Sequence, residues 1–209
     1  MQLPILARRG WRACVGALAV LLATATAQAD GLPFGQPKVP YSAVTLTEIA
    51  GQTMQTRVYY TPGHQRNEID TSIGPQIMLM DFDNHVAYML MPMAKGYSEM
   101  PMGTHGMAGA DTEQDPQGSV ESEALGRETI AGQETTKYRF QVTTAQGSTK
   151  GFAWVTDDGI LMRSESETTT GAADTTPGRM VMSLQELQIG PQDPALFELP
   201  ADYQKMETN

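Results

Sequence analysis

Methionine is the residue whose number and spacing could do chemistry in this chain. There are 14, and eight fall between residues 78 and 107. Most are spaced by two: Met78 and Met80; Met89, Met91 and Met93; Met100 and Met102. In extended chain a spacing of two puts each set on one face. If the strands pair in sequence order, the sets merge into one thioether-rich surface. Three chemistries fit such a surface. Methionine fills irregular cores well, because its side chain is unbranched and flexible. The same flexibility suits a surface that accepts varied apolar ligands, such as acyl chains or hydrophobic peptide. Thioethers are also soft donors for Cu(I) or Ag(I).

Other reactive side chains are better explained as turns. His64, His85 and His105 lie in or beside turns, at no metal-ligand spacing. Asp81 and Asp83 could be an acid and base pair, but Asp83-Asn84 reads as a hairpin turn. Asp157-Asp158-Gly159 lacks the long acidic loop that holds calcium and reads as another turn. No serine sits in a nucleophile elbow, and no Gly-rich phosphate loop opens a helix. Trp154 reads as core. These absences point to a non-enzymatic protein with no cofactor and no metal centre.

The amino terminus carries an address. Arg8, Arg9 and Arg12 precede an apolar run from Ala13 to Ala23, and Ala27-Gln28-Ala29 supplies small residues for a peptidase. That is the pattern of a cleaved signal peptide over 1–29; the run is shorter than the ~20 residues that span a bilayer. The expectation is export to the periplasm and no stable membrane insertion after cleavage. Cleavage removes Cys14, the only cysteine, so the mature chain has no disulfide. It also leaves 11 Lys and Arg against 24 Asp and Glu, a net charge of −13 with histidine neutral. So acidic a chain repels nucleic acid and anionic lipid headgroups. The 180 residues from 30 to 209 suit one domain and a core that needs no staples.

Turn chemistry then divides the chain at roughly ten-residue intervals, the mark of antiparallel β structure. Residues 30–40 hold three prolines and two glycines and read as an extended leader. Eleven strands are predicted, at 41–49, 52–60, 64–70, 75–82, 85–92, 96–101, 122–131, 133–144, 149–157, 159–170 and 179–189. Residues 103–121 and 168–179 are polar enough to be flexible loops. Period-two alternation puts Met54, Thr56, Val58 and Tyr60 on one face, and Thr136, Tyr138, Phe140 and Val142 on another. Strands 75–82 and 85–92 are apolar on both faces, with Ile77 and Leu79 opposite Met78 and Met80. Such strands are covered twice or line a cavity. No stretch forms an amphipathic helix of three turns. Asp193 and Pro194 suit the start of one helical turn.

Three stretches resemble the secreted bacterial domain-of-unknown-function family 4412. They are Trp154-Val155-Thr156-Asp157-Asp158-Gly159-Ile160-Leu161-Met162-Arg163; Met89-Leu90-Met91-Pro92 with Tyr97-Ser98-Glu99-Met100-Pro101; and the closing run from Gly190 to Met206. The family is similar to the LolA/LolB group of periplasmic lipoprotein carriers. The resemblance implies an all-β fold, a strongly curved antiparallel sheet forming a half-open barrel of about eleven strands with very little helix. It also implies one domain over 41–206, with a concave apolar face that shields acyl chains. The combined expectation is a monomeric periplasmic binding protein. Met78, Met80, Met89, Met91, Met93, Met100 and Met102 would hold a long apolar ligand, such as a lipid or acyl chain, on that face, with the 103–121 loop beside its mouth. The alternatives are a soft-metal Cu(I) or Ag(I) binder, or a structural envelope module without ligand.

Overall fold

The computed structural model describes residues 35–102, 119–144, 147–170 and 178–206. Eleven antiparallel strands follow in order: β1 (Tyr41–Ile49), β2 (Gln52–Thr61), β3 (His64–Thr71), β4 (Gly74–Asp81), β5 (Val86–Met91), β6 (Gly96–Pro101), β7 (Ser119–Ile130), β8 (Gln133–Thr144), β9 (Gly147–Val155), β10 (Leu161–Thr170) and β11 (Gly178–Ile189). A twelfth, β12 (Gln204–Lys205), adds in parallel to β6. The expected count of eleven thus becomes twelve. The expected loops also shrink. β7 already begins at Ser119, and β10 and β11 run to Thr170 and from Gly178. Residues 103–118 and 171–177 lie outside the described residues, as does the signal segment.

All twelve strands form one sheet in the order β12-β6-β5-β4-β3-β2-β1-β11-β10-β9-β8-β7. The sheet is a half-open barrel, as expected. Its curl is visible in what meets at the centre. Phe82, from the β4–β5 turn, and Ile130, at the end of β7, belong to opposite wings. Both pack against the cluster of Tyr41, Tyr60, Ile160, Met162 and Leu184. Among the described residues the only helical elements are the 3₁₀ turns Pro92–Ala94 and Pro194–Phe197. The second has the expected start: the Asp193 carboxylate accepts from Ala195 N at 3.0 Å and Pro194 opens it.

One end of the barrel is closed. There the leader lies across the cluster, with Pro37 buried. The Tyr60 hydroxyl donates to Pro37 O at 2.9 Å, and Lys38 N donates to Asp158 O at 2.8 Å. Tyr60 and Tyr41 stack at 5.4 Å. Burial, helped by the Asp83 carboxylate, pushes Tyr60 up to about 12. Burial next to Tyr60 likewise raises Tyr41. Both phenols therefore stay neutral in the fold while those of an unfolded chain ionise near ~10. Their contribution is complete below pH ~10 and is lost as pH rises towards the folded values. The urea midpoint should fall between pH 9 and 11.5, less steeply in Tyr60→Phe. A flat profile in the wild-type chain would refute this.

After β11 the chain becomes a strap over the convex face. Gly190 N bonds Pro40 O at 3.0 Å beside β1. The Pro194–Phe197 turn then reaches β3, where Arg66 Nη1 donates to Leu196 O at 3.0 Å and the Phe197 ring lies 6.1 Å from His64, tilted by 54°. The strap ends on β6, clamped by Lys95–Asp202 and Lys205–Glu99 ion pairs of 2.7 Å each. Leu79 and Leu90, on the crossed face, are buried. The two apolar faces of β4 and β5 are thus both covered: one by the strap, the other by the barrel interior.

Candidate functional site

Strand register decides which methionines meet. Met78 pairs with Met89, Met80 with Ala87, and Ala87 with Met100. All four methionines therefore share one face. That face is concave, because β3 and β2 carry Gln65, Asn67, Val58 and Tyr60 in the same rows, leading into the central cluster. Met78 and Met80 are 2% and 1% exposed and pack with Ala87 and Met102. Met89 and Met100 lie against this group, partly buried. Met102 follows β6 and is held by its N–H to His85 O at 2.8 Å.

Two of the seven predicted methionines are placed differently. Met91 keeps the concave-side register, opposite Gly96, but stands apart from the buried group. Met93 is off the sheet. Pro92 ends β5 and opens a 3₁₀ turn, which leaves Met93 80% exposed. The bracketing structure shows why spacing misled here: a spacing of two shares a face only while the strand lasts.

Three other methionines join the concave face through β1. Thr47 pairs with both Met54 and Met182, and Ile49 pairs with Met180. The sequence showed Met54 on the Tyr60 face of β2. Nothing in it showed that β1 sits between β2 and β11. Phe140 and Val142 continue the surface on β8.

The chemistry of this surface is defined by what it lacks. Along β1–β6 and β9–β11, no concave-side position among the paired strand residues carries a charged side chain; on β8 the exception is Glu134, exposed beside the β7–β8 turn. The chain as a whole carries 38 charged Lys, Arg, Asp and Glu residues. Those among the described residues, Glu134 apart, stand on the convex face, at the edge strands β7 and β12, or in turns, the leader and the strap. The polar exceptions on the concave side include Gln65 and Asn67, both buried and joined by a 2.9 Å hydrogen bond. At the closed end the surface is a packed core. Towards the other end, at the 50–51 and 72–73 turns, Met54, Ile69, Met91, Met180, Phe140 and Val142 are only partly buried. The surface is therefore an almost uncharged trough, sealed at one end, with methionine along β2, β4–β6 and β11 and Ser and Thr along β10.

The candidate acid and base pair has a structural role. Asp81 accepts from Asn84 N at 2.9 Å and Asn84 Nδ2 at 2.7 Å, fixing the β4–β5 turn. Desolvation raises its pKa, but the Asn84 bonds and His64 outweigh it, and the net shift is downward. Asp157-Asp158-Gly159 is a turn, with Gly159 at φ 84° and its N–H on Thr156 O. Trp154 is buried, with its indole N–H on Glu128 at 2.6 Å. Among the described residues no three His, Cys, Asp or Glu side chains converge as metal ligands. The thioether cluster suits only soft ions.

The family profile of a domain of unknown function, DUF4412, matches residues 43–165, more than half of the chain. The chain belongs to this family. The match contains the Met89–Pro101 and Trp154–Arg163 stretches; the closing run from Gly190 lies beyond it. No curated protein matches the chain. Among solved structures, an uncharacterised conserved protein from Thermus thermophilus superposes with a TM-score of 0.51 at 11% identity. It aligns over 90% of this chain and 98% of that one. MucB in complex with MucA(peri) gives 0.46 at 13% identity, over 90% and 61%. A LolA-superfamily protein from Nitrosomonas europaea gives 0.38 at 12%, over 84% and 97%. At these identities the Thermus likeness is one of fold alone. No described helix of this DUF4412 protein is long and apolar enough to cross a membrane.

Proposed function

We propose that this DUF4412 protein is an exported, periplasmic binding protein, not an enzyme, and that it holds a long acyl chain in the open end of its concave trough. The observation that carries this reading is the absence of charge from the concave side of nine strands, and from all of a tenth but Glu134 at its end, in a chain of net charge −10. A core needs such a surface only where it is sealed; here partly exposed methionines extend it beyond the seal. Met54, Met89, Met91 and Met180 form the wall, and Met78, Met80, Met100 and Met102 its packed floor. The energetics favour a long ligand. Each buried methylene contributes about 0.8 kcal/mol, so about sixteen carbons supply roughly 12 kcal/mol against an association cost of about 4–15 kcal/mol. Short chains cannot offset that cost. The signal-like segment at 1–29 supports the compartment, and the acidic convex face suits a soluble carrier that does not adhere to anionic membranes.

The test is titration with cis-parinaric acid, a fluorescent fatty acid. Saturable one-to-one binding in the micromolar range is expected, with competition by a sixteen-carbon but not an eight-carbon fatty acid. Absence of saturable binding would exclude the reading.

A further inference from the structure

A second hollow lies on the opposite surface of the other wing. Its volume is about 580 Å³, within the range of roughly 300–1,000 Å³ typical of small-molecule sites. None of the seven predicted methionines lines it. Strand register arranges its walls in two rows. One runs Glu123, Arg139, Phe152, Glu165 across β7–β10; the other runs Glu121, Gln141, Lys150, Glu167, Arg179 across β7–β11.

Most of the charge in the first row is internally matched. Arg139 bonds Glu123. Arg163 and Arg179 both reach Glu165, at 2.6 and 3.9 Å. The second row is different. Among the described residues the side chains of Glu121, Lys150 and Glu167 make neither a hydrogen bond nor an ion pair. Lys150 and Glu167 are direct cross-strand neighbours, yet no ion pair joins them. Beside Lys150 on β9, Phe152 leaves 36% of its surface exposed in this charged setting.

We propose that this hollow binds a short peptide with free termini. A ligand complementary to it carries a carboxylate for Lys150, an ammonium for Glu121, and an apolar side chain for the Phe152 ring. The spacing agrees. Glu121 and Lys150 stand two strands apart in one row, about 10 Å at ~4.8 Å per strand, and three extended residues span about 10 Å. Gln141 lies between them and offers its amide to the peptide backbone. An acyl chain does not fit: it cannot match the free charges, and the concave trough already suits it.

Calorimetric titration of the exported chain with alanyl-leucyl-alanine tests this. Saturable binding is expected, weakened at least about tenfold by acetylating the amine or amidating the carboxylate, since a hydrogen bond to a charged group is worth about 1.5–3 kcal/mol. Lys150→Ala should weaken the free peptide yet leave the amidated one unchanged; Glu121→Gln should do the same for the acetylated one. Both sites are on the surface, and cis-parinaric acid binding should be unaffected in both variants. No saturable heat at millimolar peptide, equal binding of free and blocked peptides, or a parallel loss of fatty-acid binding would each overturn the proposal.

Discussion

Gly151→Ala should destabilise the fold by about 3 kcal/mol, the upper end of the usual overpacking cost. Gly151 lies on the concave side of β9, opposite Ser166 of β10 and Phe140 of β8. A Cβ there would collide with the Glu165 carbonyl oxygen and stand 2.9 Å from the Glu165 carbonyl carbon and Ser166 Cα. These are backbone atoms and cannot swing aside. Glycine is the residue that lets the two backbones approach this closely. The alanine would force the two strands apart and flatten the wing. Gly178→Ala is the control, since a Cβ at Gly178 meets nothing within 4 Å. Urea denaturation followed by tryptophan fluorescence should separate the two variants clearly. Equal stabilities would show that β9 and β10 do not approach as closely at Gly151 as described.

A positive charge on the concave side should abolish fatty-acid binding, whereas the same charge at Met93 should do nothing. Met89→Lys would place an ammonium against Met78, on a face with no counter-charge. Desolvating an unpaired charge costs several kcal/mol, so cis-parinaric acid affinity should fall by more than about a hundredfold at ~1.4 kcal/mol per tenfold. Because Met89 borders the packed group, Met54→Lys serves as the milder companion at the open end, with thermal stability measured for both. Met93→Lys should bind within twofold of wild type, since Met93 is 80% exposed on the 3₁₀ turn. If Met93→Lys weakened binding and Met54→Lys did not, the ligand would lie on the rim and not in the trough.

The fold was largely legible because its punctuation is local. Pro62-Gly63 and Ala131-Gly132 stand at hairpins, with Gly63 and Gly132 at φ 85° and 79°. The alternation of β2 and β8 correctly set their buried faces. The start of β7 was missed because that edge strand is exposed on nearly every residue, so no alternation marks it. β12 was missed because two residues have no period; only the Lys95 and Tyr97 carbonyls that receive Gln204 and Met206 define it. The site was less legible than the fold. Spacing along one strand grouped Met78 with Met80, but joining them to Met54 and Met180 required the position of β1 between β2 and β11. Met93 was grouped with Met91 across Pro92, although proline cannot continue an interior strand. Arg139, Lys150 and Phe152 converge from β8 and β9 at residues separated by a turn, so no motif announces their hollow.

Native mass spectrometry of the whole protein, purified without detergent from cells that produce it, distinguishes a filled trough from an empty one. Part of the population should carry a single lipid or fatty-acid adduct, removed by organic extraction and absent from Met54→Lys. A protein that emerges bare and takes up no added sixteen-carbon fatty acid, or one that carries copper in place of lipid, would contradict the proposed function.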